Sequence, residues 1–150
     1  MPAHMKWVRD TFTVTCDPAK LDLAVVAGFL ASSYWAEGIP IATVEKSLEN
    51  SLCFVVLDGE RQIGFARVIT DRATIAYLGD VFILPEYRGR GLAKWLMECI
   101  VSHPDLQGLR RWMLGTRDAH GLYARFGFTP LKHPERVMEL RDPNPYGAGA

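Results

Sequence analysis

The hydrophobic pattern changes its period inside residues 74–100, and this change constrains the fold more than any other feature of the chain. Residues 74–84 form a predominantly apolar run, which is typical of a buried central strand. Pro85 ends the run, and beyond two glycines the apolar residues recur at helical spacing as far as Ile100. A buried strand that leads through a short loop into an amphipathic helix indicates a layered α/β structure.

The remaining hydrophobic patterns predict a mixed sheet with helices on its faces. Asp17 followed by Pro18 is typical of a helix N-cap and first helical position, and helical spacing continues to Ala31. We predict the order β-α-α-β-β-β-α-β-α-β in one domain over residues 1–150, with its core at about residues 12–140. The other predicted elements are strands at residues 12–15, 52–57, 63–69, 111–114 and 137–140, and helices at residues 18–31, 41–48 and 119–125.

Composition narrows the functional classes. The 17 basic and 17 acidic residues cancel, so the chain lacks the basic surplus of a typical nucleic-acid-binding domain. No apolar stretch approaches the roughly 20 residues of a membrane span, and residues 1–10 do not resemble a signal peptide. We therefore expect a soluble, cytoplasmic protein with neither a nucleic-acid nor a membrane partner. Residues 142–150 are rich in proline and glycine, which predicts a loose C-terminal tail.

The three cysteines predict neither a disulfide framework nor a metal site. Cys16, Cys53 and Cys99 are odd in number, widely spaced and flanked by apolar residues. Such cysteines are typical of small, reduced core residues. No Cys/His spacing in the chain suggests zinc ligands, and we expect no metal.

The loop between the central strand and the following helix carries the clearest chemistry. Residues 88–91 read Arg-Gly-Arg-Gly, and the glycines let backbone N–H groups approach a ligand closely. The helix N-terminus adds unpaired donors and a partial positive charge, so the segment suits a diphosphate. It lacks both the Lys-Ser/Thr ending of a P-loop and the GxGxxG pattern of a dinucleotide site. A β-to-α turn with solvated arginines is the alternative interpretation.

Two segments together resemble one family. Residues 83–93 read I-x-P-x-x-R-G-x-G-x-A, which resembles motif A of the GCN5-related N-acetyltransferases, the GNAT family. Residues 119–128 resemble that family's A-x-x-L-Y-x-x-x-G-F segment, which follows at a similar distance. The predicted element order also fits from about residue 12 to residue 140. The resemblance implies the GNAT fold and acetyl-CoA as co-substrate.

The resemblance also implies where acetyl-CoA is held. Backbone amides of the loop would bind its pyrophosphate, and the end of the central strand would pair with its pantetheine arm as an added strand does. Thr116 stands where the family often has Asn, which puts that family contact in question. The expected cofactor-binding residues are Ile83, Leu84, Arg88, Gly89, Arg90, Gly91, Leu92, Ala93 and Thr116.

For catalysis, the resemblance assigns Tyr123 as the general acid that protonates the departing thiolate; a plain core tyrosine is the alternative. Asp80 is a carboxylate inside an apolar strand, so it needs a partner or a task. It is a candidate base or amine-binding group, or else a structural partner of Arg67 or Arg88. A base that acts through water remains equally open. His120 lies on the same helical face as Tyr123 and is expected either to relay a proton or to face solvent.

The acceptor side of the reaction is less defined. Tyr34 and Trp35 fall between the first two predicted helices, where aromatic rings suit a cationic or aromatic amine; packing at the helix corner is the alternative for Trp35. Arg67 is a candidate for binding a carboxylate on the substrate. The acceptor is expected to be a primary amine of a small molecule or peptide.

The function that the resemblance implies is N-acetyl transfer by direct attack in a ternary complex. Three alternatives stay open at this stage. They are a non-catalytic CoA or acyl-CoA sensor on the same fold, a transferase for another short acyl-CoA, and an RNA-binding module that uses Arg88 and Arg90. The family resemblance also allows a homodimer.

Overall fold

The computed structural model describes residues 4–147, and over that range the chain folds into one mixed sheet with helices on both faces. The strands are β1 (Lys6–Arg9), β2 (Phe12–Thr15), β3 (Leu52–Asp58), β4 (Arg61–Thr70), β5 (Ile75–Ile83) and β6 (Arg111–Leu114). The helices are α1 (Leu23–Ala31), α2 (Ile41–Glu49), α3 (Leu92–Ser102) and α4 (His120–Ala124). The predicted mixed α/β class is confirmed.

The sheet opens between its last two strands. The six strands lie in the order β1-β2-β3-β4-β5-β6; neighbours are antiparallel except β5 and β6, which are parallel and connected through α3. β6 pairs with β5 only from Ile75 to Leu78. Beyond Leu78, no strand within residues 4–147 lies beside residues 79–83 of β5 on this side. The opening therefore lies next to the carboxyl end of β5 and the start of α3.

A β-bulge at Asp80 bends β5 where the opening begins. The register between β4 and β5 shifts between Phe65 and Arg67, and Asp80 takes a φ of 55°. Asp tolerates this left-handed conformation better than most residues because its short polar side chain can bond locally. The extra residue twists the strand and re-aims the side chains that follow.

Apolar side chains fill both faces of the sheet. Under α3, Phe54 of β3 packs with Leu96 and Ile100. On the face covered by α1 and α2, Val26 of α1 and Phe82 of β5 belong to the second buried cluster. Burial on both faces explains why β3 reads as a nearly continuous apolar run. The first half of β5 instead alternates, since Ile75 and Tyr77 are exposed.

The three cysteines belong to these buried clusters and are free thiols, as predicted. Burial raises the pKa of the Cys53 thiol to about 11 and the pKa values of the Cys16 and Cys99 thiols to about 12. All three therefore stay protonated at neutral pH, which suits apolar packing rather than nucleophilic chemistry.

Two predictions near the N-terminus need correction. β1, which pairs with β2 as a hairpin, was not among the predicted strands. The first long helix begins after Asp22, whose carboxylate accepts hydrogen bonds from the N–H groups of Ala24 and Val25. Asp17 caps only the short 3₁₀ turn Pro18–Lys20. Asp17 and Asp22 are both suitable N-cap residues, so the sequence pattern alone did not show which of them caps the long helix.

The predicted last strand, residues 137–140, is wrong. This segment has no regular secondary structure, and Met138 is 94% exposed. A strand needs a partner edge for its backbone groups, and hydrophobic alternation does not provide one. The segment lies between a 3₁₀ turn at Pro134–Arg136 and Pro143. Both prolines have a fixed φ and no backbone N–H, which limits the conformations of the chain at each end of the segment.

The close approach of β3, β4 and β5 requires glycine at position 64. A Cβ there would lie 2.7 Å from Ile83 Cδ1 and 3.0 Å from the carbonyl oxygen of Phe82. We expect Gly64→Ala to lower the free energy of unfolding in urea by about 1–3 kcal/mol, as overpacking does. Gly28→Ala is the control because Gly28 lies in α1 with open space around it, and it should stabilise the protein by about 0.5–1 kcal/mol. Equal effects of the two substitutions would contradict the steric argument.

Candidate active site

The loop between β5 and α3 presents unpaired backbone donors. Gly89 and Gly91 have φ values of 79° and 75°, which favour glycine. Gly91 is the N-cap of α3 and contributes no side-chain cap. Within residues 4–147, the N–H groups of Leu92, Ala93 and Lys94 have no hydrogen-bond acceptor. A helix start of this kind binds anions through its N–H groups and its dipole.

The two arginines of the loop take different positions. The Arg88 Nε donates to the carbonyl oxygen of Ile83 at 3.0 Å, which ties the loop to the end of β5. The Arg90 guanidinium lies 5.2 Å from the centre of the Tyr87 ring, outside the cleft described next. Arg88 therefore borders the cleft, whereas Arg90 contributes charge from outside it.

A cleft of about 710 Å³, here the loop cleft, runs from this loop to the N-terminal part of α4. Five of the predicted cofactor-binding residues of the loop line it, together with Ile83; Arg90 and Leu84 do not. The five are Arg88, Gly89, Gly91, Leu92 and Ala93. The opposite wall includes Phe29 and Ser33 from the end of α1 and the loop that follows.

The backbone of β5 faces the loop cleft at Ile83. The N–H of Leu84 donates to the carbonyl oxygen of Ile63 at 2.8 Å, and the carbonyl oxygen of Leu84 accepts from the N–H of Tyr87 at 2.9 Å. The backbone groups of Leu84 are thus already bonded within the protein. Because neighbouring residues of a strand direct their N–H and C=O groups to opposite edges, Ile83 directs its own groups to the open edge. Its carbonyl oxygen accepts there from Arg88 Nε, which leaves the N–H for a ligand.

Tyr123 lines this cleft from α4. It is 8% exposed, and its ring packs edge-on against Phe128 at a centroid distance of 6.0 Å. Burial, and next the neighbouring Tyr34, raise the pKa of the Tyr123 phenol above its ordinary value. The phenol is therefore protonated at neutral pH and can donate a proton.

A second cleft of about 700 Å³, here the β5–β6 cleft, opens between the diverging strands. Arg67, Asp80 and Tyr77 line it from the sheet, and Thr116 lines it from the β6–α4 loop. Both clefts share a set of lining residues, so they adjoin at this place. The shared residues are Tyr34, Trp35, Val81, Arg117, Asp118, Ala119 and Tyr123.

The segment between α1 and α2 bridges the opening of the sheet. The Tyr34 hydroxyl accepts from the N–H of Arg117 at 3.0 Å, and the Arg117 guanidinium lies 4.0 Å from the centre of the Tyr34 ring. Trp35 Nε1 donates to Asp80 at 2.8 Å. Tyr34 therefore binds the β6–α4 loop and Trp35 binds β5, so these two residues hold the boundary between the two clefts in place.

Asp80 is held by two partners. Its Oδ2 accepts from Arg67 Nε at 2.7 Å, and its Oδ1 accepts from Trp35. Arg67 also donates to Ser51 Oγ at 3.2 Å. The side chains of Arg67 and Asp80 are only 19% and 10% exposed, so this is a largely buried ion pair. Of the two structural partners considered from sequence, the structure shows Arg67 and not Arg88.

Two further candidates take places around α4. The Thr116 hydroxyl accepts from the N–H of Ala119 at 3.0 Å, which organises the turn into α4, and Thr116 lines the β5–β6 cleft rather than the loop cleft. His120 is exposed and lines neither cleft. The solvent-facing interpretation of His120 agrees with this position.

Sequence reasoning missed several residues of the β5–β6 cleft. Arg117 lies two residues before the second motif, and Tyr77 lies on β5 three residues before Asp80. This nearness in sequence to predicted site residues was the available signal. Arg141 and Tyr146 also line this cleft, from the tail that composition predicts to be loose. No local pattern marks these two, and residues 148–150 of the tail lie outside the described range.

Within the described part of the chain, no group of three or more His, Cys, Asp or Glu side chains is placed to hold a metal ion. In that same range, no helix combines the length and the apolar character that crossing a membrane requires.

Comparison with known proteins agrees with this geometry. Residues 49–130 match the model of the acetyltransferase (GNAT) domain. A protein of Gibberella zeae, named as a candidate acetyltransferase, is 32% identical over 142 residues, which cover 79% of each chain.

Solved structures share the fold. A candidate acetyltransferase of the GNAT family from Xanthomonas campestris pv. campestris is 51% identical with a TM-score of 0.88, over 90% of this chain and 96% of that one. An acetyltransferase-like protein of Clostridium acetobutylicum, described with acetyl-CoA, is 14% identical with a TM-score of 0.62 over 87% and 94%, and shows the fold alone. With its phosphate-type loop and its opened sheet, the chain belongs to the GNAT family of acetyltransferases.

Proposed function

We propose that this protein transfers an acetyl group from acetyl-CoA to a primary amine by direct attack, with both substrates bound at once. The observation that carries the proposal is that the two clefts adjoin at Tyr123, which lines both of them. One cleft begins at an anion-binding helix start, and the other opens away from it between β5 and β6. Two clefts that adjoin at one proton donor suit a reaction between two bound molecules.

The residues of the loop cleft fit the cofactor. The free N–H groups of Leu92, Ala93 and Lys94 suit its pyrophosphate. The Ile83 carbonyl oxygen already accepts from Arg88, so the Ile83 N–H is the group of this edge that suits the carbonyl oxygen of the thioester. Acetyl-CoA supplies the acetyl group already activated as a thioester, so no protein nucleophile is required. The buried cysteines, far from thiolate character, agree with a mechanism without a protein nucleophile.

Three groups of the chain carry the proposed chemistry. The N–H of Ile83 faces the open edge and is the donor we assign to the developing oxyanion. The protonated Tyr123 donates a proton to the departing thiolate. Asp80 holds Trp35 and Arg67 in place, and water in the β5–β6 cleft takes the proton of the attacking amine. Because both of its oxygens are engaged, Asp80 acts here as a positioning residue.

The test is thiol release from acetyl-CoA, measured across a panel of primary amines, beside calorimetric titration with acetyl-CoA. We expect binding, and amine-dependent release with acetylated product detected by mass spectrometry. Binding of acetyl-CoA without turnover of any amine would instead favour the sensor alternative. Preferred release from propionyl-CoA or another short thioester would favour the alternative acyl donor.

The loop makes a separate prediction. Alanine at a position with positive φ costs about 1–2 kcal/mol of strain, so Gly91→Ala should distort the helix start. We expect acetyl-CoA affinity to fall about tenfold, which corresponds to about 1.4 kcal/mol, in calorimetric titration. Gly108→Ala is the matched control because Gly108 has a φ of 73°, equally open surroundings and no place in either cleft. Equal affinities of the two variants would argue against this anion site.

A further inference from the structure

The charged side chains of the β5–β6 cleft do not balance. Three guanidinium groups line it, those of Arg67, Arg117 and Arg141, against two carboxylates, those of Asp80 and Asp118. Arg67 is paired with Asp80 at 2.7 Å, and Arg117 lies 3.6 Å from Asp118. Each carboxylate thus has an arginine, and one positive charge is left over.

The remaining charge belongs to Arg141. Among the residues that the structure describes, its guanidinium has neither an ion pair nor a hydrogen-bond partner, and the residue is exposed. Arginine offers a planar fork of donors that matches a carboxylate with two parallel hydrogen bonds. Arg67, the carboxylate-binding candidate from sequence, is occupied by Asp80 and Ser51. Among the described residues, the arginine of this cleft that lacks a carboxylate partner therefore lies in the C-terminal tail.

Aromatic rings form much of the rest of the cleft wall. Tyr34 and Trp35 lie edge to face with a centroid distance of 5.1 Å, and Tyr77 and Tyr146 also line the cleft. Tyr146 comes from the same tail as Arg141, and it is half-buried. Such walls favour an apolar or aromatic group on a ligand.

Resting on the proposed acetyl transfer, we propose that the acceptor is an amino acid with an apolar or aromatic side chain, whose α-carboxylate is bound by Arg141. In this arrangement the carboxylate of the amino acid binds the Arg141 guanidinium, and its side chain packs against the aromatic wall. Its amine lies on the Tyr123 side of the cleft. The C-terminal tail is then a specificity-determining part of the site.

The test compares amines that differ in the carboxylate. L-Phenylalanine is set against 2-phenylethylamine, and L-leucine against isopentylamine, because each pair shares its side chain. L-Phenylalaninamide stands for a peptide N-terminus, which has no carboxylate beside its amine. We expect kcat/KM to be at least about tenfold higher for each amino acid than for its carboxylate-free partner, as a charge-assisted bond predicts.

Variants then assign the effect to one residue. Arg141→Gln should raise the KM for L-phenylalanine about tenfold and leave kcat and the KM for acetyl-CoA unchanged, because the bond forms equally in the ground and transition states. Arg141→Lys should restore part of the affinity. Arg136→Gln is the control, since Arg136 is an exposed arginine of the same segment that lines neither cleft.

Two outcomes overturn the inference while the proposed function stands. One is acetylation of the carboxylate-free amines at least as fast as that of the amino acids. The other is an amino-acid preference that Arg141→Gln does not reduce. Calorimetric titration compares the affinity for L-phenylalanine with the affinity for 2-phenylethylamine, and so measures the carboxylate preference without turnover. Failure of the proposed function differs from both, since no amine would then release thiol from acetyl-CoA.

Discussion

Tyr123→Phe should lower kcat about 10²- to 10⁴-fold, the usual contribution of a general acid, and leave acetyl-CoA affinity near that of the wild type. The substitution removes only a hydroxyl, and the ring keeps its packing against Phe128. Thiol release at saturating amine measures kcat, and calorimetric titration measures the affinity. Full turnover in Tyr123→Phe would contradict the assignment of Tyr123 as the proton donor.

The pH profile tests the same assignment independently. Because burial raises the pKa of Tyr123, the protonated form that donates the proton persists above the ordinary tyrosine pKa of about 10. We expect kcat of the wild type to show no loss from tyrosine ionisation up to about pH 10, with a decline only at higher pH. A decline that is centred near neutral pH and is absent from Tyr123→Phe would contradict the raised pKa.

His120→Gln is the matched control for both measurements. His120 lies on the same short helix, three residues before Tyr123, yet it is exposed and lines neither cleft. We expect it to retain the turnover and the pH profile of the wild type. A loss comparable with that of Tyr123→Phe would instead support the proton-relay role considered from sequence.

Asp80→Ala should lower the free energy of unfolding by about 3–5 kcal/mol, the usual cost of breaking a largely buried ion pair by removing one partner. The Arg67 guanidinium would stay in place without its carboxylate, and Trp35 would lose its hydrogen bond. Alanine would also be strained at the φ of 55° that Asp80 adopts. Urea unfolding followed by circular dichroism measures the loss.

A double-mutant cycle separates the ion pair from the other effects. Arg67→Met in the Asp80→Ala background removes the unpaired buried charge, so the double variant should lose less than the sum of the two single losses. The remaining loss then reports the strain and the missing bond to Trp35. Strict additivity of the two substitutions would show that the pair is screened by solvent and contributes little.

Asp80→Asn distinguishes the catalytic from the positioning role. Asn also tolerates positive φ, and it keeps an oxygen that can accept from Trp35 Nε1. A positioning role predicts that kcat falls modestly and that the pH profile keeps its shape. A general base predicts a loss of about 10²-fold or more together with the disappearance of the limb that the base controls.

The site divides into parts that local sequence predicts and parts that it does not. Gly89, Gly91 and the start of α3 form the predicted anion loop because a backbone conformation and a helix terminus are local properties. The role of Asp80 was open because its ionic partner, Arg67, comes from another strand. Arg141 escaped notice because a lone arginine in a Pro- and Gly-rich tail carries no periodic signal.

The same division holds for the fold. The sequence by itself determined the phosphate-type loop and the strand that leads into it, because short-range conformational preferences specify these features. Two local motifs also identified the family, whereas β5 is the fifth of six strands rather than a central one. Only the tertiary structure decided that residues 137–140 lie outside the sheet, that β5 and β6 diverge after Leu78, and that Arg141 and Tyr146 of the tail line the same cleft as Trp35. Pairing edges and cleft walls join residues that are distant along the chain, and their energies depend on burial and partners that no local pattern contains.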